Sequence, residues 1–467
     1  MPYETVGGAH ELASRLGHSA AAVKAIADQR TFHVPAESIQ DIETIRKRIR
    51  PRGDFATPSA SERLNAALAI DGSHVVEQIR DGLPSVMYGF AQAAAAYVDL
   101  GILESQRAER FVDPYQIERA VNTALVTLDL PVAGAYTRSG VDIVTSWREA
   151  IDELFRQKKI DVNRLDQPLL DLLFLLHGVP GAPAVTVPVN CPNPDCNHKD
   201  VPVPLAGTDC DACGVRLFPT DVLRIHEEVG DEGSNQSALG RLMSVIELLV
   251  LVGLATLLWE QSRQKALPAT LFIVDGPLAV FGTPAKLRAR ALEYFQAMGR
   301  STPGLAPYVC GIEKSGALVD YARQLARHDI LEPGSLLICD EQIIARVVNA
   351  NNARAYGKET YWGRKFVYRA LDGRVVVPTV PPSTGAPYDA SGGKADPEDY
   401  PTLPAILDVI DRTGSSMYVD GIIPVAAAHG RAAFPIGVGT DVLRLVATKR
   451  LGLDSSGGQT SPVRSAS

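Results

Sequence analysis

Apolar positions along the chain fall into strand-length runs that alternate with longer stripes of helical period. An apolar run over 64–70 stops at Asp71-Gly72-Ser73, and a second over 85–98 supplies an antiparallel neighbour. Helical periodicity predicts helices over 146–157 and 165–176. A long apolar stretch covers 242–259, and a strand over 271–274 ends at Asp275-Gly276-Pro277. Beyond it the pattern predicts a helix over 284–298, strands over 308–312, 335–339, 365–370 and 374–380, and helices over 317–326, 403–411 and 440–450. This alternation indicates an α/β domain with a mixed sheet flanked by helices.

The two ends differ from the middle. Alanine-rich helices over 11–27 and 39–49 predict a helical N-terminal extension covering 1–62, ahead of a main domain over 63–451. A Pro/Gly/Ser/Asp-rich loop spans 380–400, and the Ser/Gly-rich tail over 452–467 is expected to be disordered. Within the main domain, 185–220 is rich in Pro, Val and Asp and holds four of the six cysteines, which marks an inserted module.

Only the 242–259 stretch is long and apolar enough to imitate a membrane span. Glu247 inside it, polar sequence on both sides and the lack of a second such stretch favour a buried core helix. The first 29 residues lack the basic-then-apolar pattern of a secretory leader, so the expectation is a cytoplasmic protein with no membrane contact. With 46 basic against 54 acidic residues, nucleic acid would be attracted by local patches rather than by net charge. One such patch is the basic run over 46–52; a solvated helix end with a proline stop explains it equally well. A second is the stretch over 361–369, where Tyr361, Trp362, Phe366 and Tyr368 interleave with Arg364, Lys365 and Arg369. Single-strand binding surfaces show that interleaving, and so does a half-buried strand, which is the favoured explanation.

Cys191 and Cys196 form one pair and Cys210 and Cys213 another, thirteen residues apart. Two such knuckles present four thiolates to one structural Zn2+ ion, with His198 as a substitute ligand, and the closed site leaves no position for substrate. Cys310 and Cys339 stand alone on strands and read as buried small residues.

Carboxylates that follow apolar strands carry the candidate chemistry. The chain holds five Asp-Gly dipeptides, ordinarily turn formers, but only Asp71 and Asp275 follow runs of Ala, Leu, Ile or Val. Glu247 lies where solvation is excluded, so it needs a cation, an arginine or strong hydrogen bonds. Together with two strand-end aspartates it would make an oxygen-rich site suited to Mg2+ or Mn2+, which activates water for phosphodiester hydrolysis. Glu227, Glu228 and Glu260 compete with Glu247 for the third place. His429, in a small-residue segment, reads as a metal ligand, as a proton donor to the leaving oxygen, or as a satisfied core histidine.

The strand-Asp-Gly-Ser motif at Asp71, the acidic residue Glu247 in a long helix, the strand-Asp-Gly-Pro-Leu motif at Asp275 and the late Ala-His at His429 resemble, in order and spacing, the NurA family of DNA repair nucleases. Gly311-Ile-Glu-Lys314-Ser315 is similar to a further segment of that family. The resemblance covers about 64–451, interrupted by the cysteine module, a zinc-ribbon-like insertion that the basic family domain lacks. It implies an RNase H-like fold, Mn2+-dependent DNA cleavage in end processing for repair or anti-phage defence, a homodimer, and a HerA-like hexameric ATPase as partner. By the same match Asp71, Glu247 and Asp275 are metal ligands and His429 the fourth site residue. No Gly-x-x-x-x-Gly-Lys-Ser/Thr loop occurs in the chain, so ATP hydrolysis falls to a partner. A non-catalytic zinc-ribbon adaptor that binds DNA and a phosphatase of small phosphoesters are the alternatives.

Overall fold

The computed structural model describes residues 42–54, 58–59, 63–80, 85–108, 121–162, 165–261, 266–301, 307–339, 360–383, 399–414, 421–434 and 438–453, with 23, 343, 344 and 347. The helix expected over 11–27, most of the 380–400 loop and the tail from 454 lie outside them. The chain divides into two compact units, Met1–Ile42 and Glu43–Ser467, and the sheet and both side-chain clusters belong to the second.

Nine described strands form one mixed sheet: β1 (Ile49–Pro51), β2 (Ala66–Arg80), β3 (Val86–Asp99), β4 (Val121–Ala133), β5 (Thr270–Asp275), β6 (Tyr308–Glu313), β7 (Ser335–Ile338), β8 (Arg364–Arg369) and β9 (Val375–Val380). Their spatial order is β1-β7-β8-β9-β6-β5-β2-β3-β4. At its centre β2, β5 and β6 run parallel, and every other neighbouring pair is antiparallel. Burial on both faces explains why these central strands read as unbroken apolar runs.

Helices cover both faces. On one lie α1 (Ile143–Gln157), α2 (Leu169–His177), α3 (Gln236–Gln261) and α4 (Leu287–Ser301), packed on Leu68, Ile70, Phe272, Val309 and the inward side of β4. α5 (Ala317–Arg327) packs against β8 and β9, where Arg369 Nη1 donates to Ala326 O at 3.4 Å. On the face opposite α3 lie α6 (Leu403–Arg412) and α7 (Ile423–Ala432), packed on Ala67, Ala69, Leu271, Ile273 and Ile312. There too α8 (Val438–Arg450) buries Leu443 and Ala447 beside Tyr88 and Phe90. The long apolar stretch is α3, whose most hydrophobic window is 72% buried inside the fold. Alanines at 93–96 of β3 are all buried and let helices on both sides come close.

Two sequence expectations are corrected. β2 does not stop at Asp71-Gly72-Ser73 but runs on to Arg80, because β3 pairs with it throughout (Asp71 opposite Ala94, Ser73 opposite Gln92). The helix expected over 165–176 is instead a strand at Leu165–Pro168 followed by α2, with Pro168 at the helix N-cap position. β4 went unread. The interleaved aromatics near β8 follow the favoured strand reading: Phe366 and Tyr368 are fully buried, and Trp362 stacks on Phe295 at 5.5 Å between centroids. The basic run over 46–52 is a helix end followed by edge strand β1, with Arg46, Lys47 and Arg50 exposed and Arg52 turned toward Asp411 and Pro404.

Candidate active site and cysteine cluster

The parallel register sets Asp275 of β5 beside Asp71 of β2 at the level where β5 ends and β2 continues alone. Both aspartates fall on the parity of Ala67, Ala69, Leu271 and Ile273, the α7 face. Gly276, at φ 115°, turns the chain away while its N–H donates to Ile312 O at 2.9 Å. The glycine thereby keeps Asp275 fixed at the sheet mouth.

His429 comes from α7. Val425, Ala428 and Ala432 are its buried contacts with the sheet, and Ser73 Oγ and Gln92 Nε2 both donate to Ala432 O, tying the end of α7 to β2 and β3. The imidazole Nδ1 lies 2.6 Å from Asp71 Oδ2 and 3.9 Å from Asp275 Oδ2. A potential ligand atom of each of Asp71, Asp275 and His429 falls within 4.8 Å of the others. The aspartate side chains are about nine-tenths buried and the histidine is 59% exposed, so the group opens to solvent on the histidine side.

Glu247 approaches from the opposite layer. An added Cβ on Gly72 would stand 2.9 Å from Glu247 Oε1 and 3.0 Å from Met243 Cγ, so the bare glycine lets α3 bring a carboxyl this close. The Gly72 N–H donates to Asp71 Oδ1 at 2.9 Å and also favours the charged form of Glu247. Glu247 lies beside the 4.8 Å group of Asp71, Asp275 and His429, not within it. Burial, then repulsion from Asp71 and Asp275, pushes its carboxyl up to about 8. Asp71 is also raised, by burial and by Asp275, with His429 and Lys314 opposing. The competing glutamates have other partners or surroundings: Glu227 pairs with Arg224, Glu228 with Arg241 and the Thr283 N–H, and Glu260 is exposed near the far end of α3.

Lys314 belongs to this neighbourhood although no role was read for it in the sequence. Its Nζ lies 2.6 Å from Asp275 Oδ2. The signal is positional: a cation directly follows β6, the strand parallel to the one that ends in Asp275.

The second cluster sits on two small antiparallel pairs, Thr186–Val189 with Val201–Pro204 and Thr208–Asp209 with Arg216–Leu217. The four sulfurs of Cys191, Cys196, Cys210 and Cys213 lie within 4.8 Å of one another, with Cys191–Cys213 at 3.5 Å and Cys196–Cys210 at 3.9 Å. A tetrahedral ion with metal–sulfur bonds of ~2.3 Å separates sulfurs by about 3.8 Å, so the donor set fits zinc. All four are free thiols, with no disulfide among them. His198 stands outside, 3.7 Å from Cys210 Sγ and 2.8 Å from Asp211 Oδ1. The module shares the main core through Val187, Val189, Val203 and Leu217, and Arg148 of α1 grips Asp221 in two 2.8 Å bonds beside it. Cys310 and Cys339 are buried, in line with the sequence reading.

The fold is thus a mixed α/β sheet protein with an acidic–histidine cluster at its mouth. No known family profile matches the chain, and no protein of curated function does. Among solved structures, the NurA nuclease from Sulfolobus solfataricus aligns over 95% of this chain and 97% of its own, at 12% identity and a TM-score of 0.37. A second structure titled NurA aligns over 93% and 97%, at 9% identity and a TM-score of 0.30.

Proposed function

We propose that this protein is a divalent-metal-dependent nuclease that hydrolyses phosphodiester bonds of DNA. The observation that supports it is the meeting of Asp71, Asp275 and His429, from three separate elements, within 4.8 Å at the mouth of the parallel strands. Two aspartates and one imidazole form a hard, oxygen-rich donor set that suits Mn2+ or Mg2+. These three residues would hold the ion, with Glu247 beside them. When bound, such an ion supplies an activated water and charge stabilisation for the in-line displacement. Asp71 fixes the imidazole through Nδ1, which leaves Nε2 as the nitrogen available to the ion. Arg431, exposed two residues further along α7, offers positive charge for a neighbouring phosphate.

By the motif resemblance, the reading extends to an RNase H-like lineage, a homodimer and a HerA-like ATPase that moves DNA past the site. The four-cysteine module takes structural Zn2+ and stiffens the surface beside α1. Linear DNA incubated with purified protein and Mn2+ should be degraded, and Asp71→Ala and Asp275→Ala should each abolish this with circular dichroism unchanged. Full activity in both variants would overturn the proposal. The cysteine module also motivates the reading as a non-catalytic zinc-bearing adaptor, in which case titration with Mn2+ gives no heat.

A further inference from the structure

Two nearly buried aspartates on adjacent strands repel one another, and burial magnifies that repulsion. The fold answers with a cation from its own backbone neighbour. Lys314 leaves β6 beside the end of β5, and its Nζ lies 2.6 Å from Asp275 Oδ2. The main chain there is held, since Arg323 Nη2 donates to Lys314 O at 3.1 Å and α5 begins three residues later. The side chain remains 36% exposed on a four-carbon stem, so the ammonium can turn while its Cα stays still. A cation just ahead of a helix N-terminus sits at the unfavourable end of the dipole, so only the carboxylates explain its placement.

Lys365 shows the contrast. It is 5% exposed, bonded to Glu313 at 2.7 Å and covered by the Tyr361 ring at 4.6 Å, a lysine locked into the core. Lys314 instead stands at the solvent-open cluster.

We propose that Lys314 is a built-in counter-ion of the Asp71–Asp275 pair, displaced from Asp275 when a divalent cation enters and then engaged with a non-bridging phosphate oxygen of the substrate. This rests on the metal-dependent reading above and deepens it. The ammonium competes with the incoming metal for one carboxylate oxygen and balances the negative charge that the phosphodiester brings.

The test is calorimetric titration of the full-length protein with Mn2+, on wild type, Asp71→Asn, Lys314→Met and Lys314→Gln, followed by DNA cleavage at saturating Mn2+. Loss of the competing charge should tighten Mn2+ binding in both Lys314 variants by about tenfold. Their kcat should fall by about tenfold or more, with KM for DNA moving far less. Mn2+ affinity unchanged or weaker in both variants, or wild-type kcat at saturation, overturns the role of Lys314. If wild type binds Mn2+ in an Asp71-dependent way while the Lys314 variants bind it no better, only this inference fails. If no form of the protein binds Mn2+, the nuclease reading fails and this inference falls with it.

Discussion

Replacing Glu247 with glutamine should stabilise the protein in metal-free buffer and do so only at elevated pH. The carboxyl is 9% exposed on an α3 whose neighbouring residues are leucine, valine and isoleucine. Burial, then Asp71 and Asp275, raises its pKa from 4.5 to about 8. Between those values the folded protein keeps a proton that the unfolded chain releases, so the stability this group contributes is full below 4.5 and falls as pH rises through about 8. The gap between 4.5 and about 8, at ~1.4 kcal/mol per pH unit, sets an upper bound of about 5 kcal/mol on the penalty at pH 9. Glutamine keeps the shape and a carbonyl acceptor for the Gly72 N–H but carries no charge. Guanidinium unfolding of both proteins in EDTA at several pH values measures the difference directly. The variant should match wild type near pH 4 and exceed it by several kcal/mol at pH 9. Excess Mn2+ should reverse the order at pH 9, because an ion that binds only the folded wild type adds stability by mass action. A pH-independent difference, or a variant less stable than wild type at pH 9 in EDTA, would refute the reasoning.

Three further outcomes follow from single contacts. Gly72→Ala places a Cβ 2.9 Å from Glu247 Oε1, so cleavage should drop by about tenfold or more while the melting temperature stays close to wild type; unchanged turnover contradicts the tight packing of α3 on β2. Cys213→Ser should lose one equivalent of zinc by native mass spectrometry and open 186–217 to proteolysis, leaving the main sheet resistant; an intact, zinc-free module in wild type would count against the assignment. Arg148→Met strands the Asp221 carboxylate, whose side chain is 1% exposed, and should cost about 3–5 kcal/mol in denaturant unfolding; a cost near zero would show that the pair does not anchor the module.

The parts of the fold that were legible are those where burial and period agree. β6 and β9, buried along almost their whole length, match the runs seen at 308–312 and 374–380, and α5 and α6 match their stripes to within a residue. β4 was hidden because only its second half is buried, with Asn122, Thr123 and Leu125 facing outward in the first. Asp71-Gly72 looks like a turn to any local rule, yet pairing with β3 carries the strand eight residues past it. The tertiary partner overrides the dipeptide.

The same limit governs the site. Asp71 and Asp275 stood out as acids after apolar runs, and Glu247 as an acid in an apolar helix. That Glu247 stands against Gly72 depends on how α3 crosses β2, and no periodicity encodes that crossing angle. Lys314 stood in a segment noted for its resemblance, but its role went unread because that depends on β6 lying next to β5, a fact of topology. At Phe366 and Tyr368 the strand reading was the favoured one and holds, since a cation–aromatic alternation that imitates a nucleic-acid surface is here the inside of the sheet.

Anomalous diffraction at the manganese edge, from crystals grown with Mn2+, tests the central claim most directly. The account predicts a peak within bonding distance of the Asp71 and Asp275 carboxylates and the His429 ring, absent from crystals of Asp275→Asn. A structure in which that position stays without anomalous signal at millimolar Mn2+, with the same side chains ordered, would contradict it.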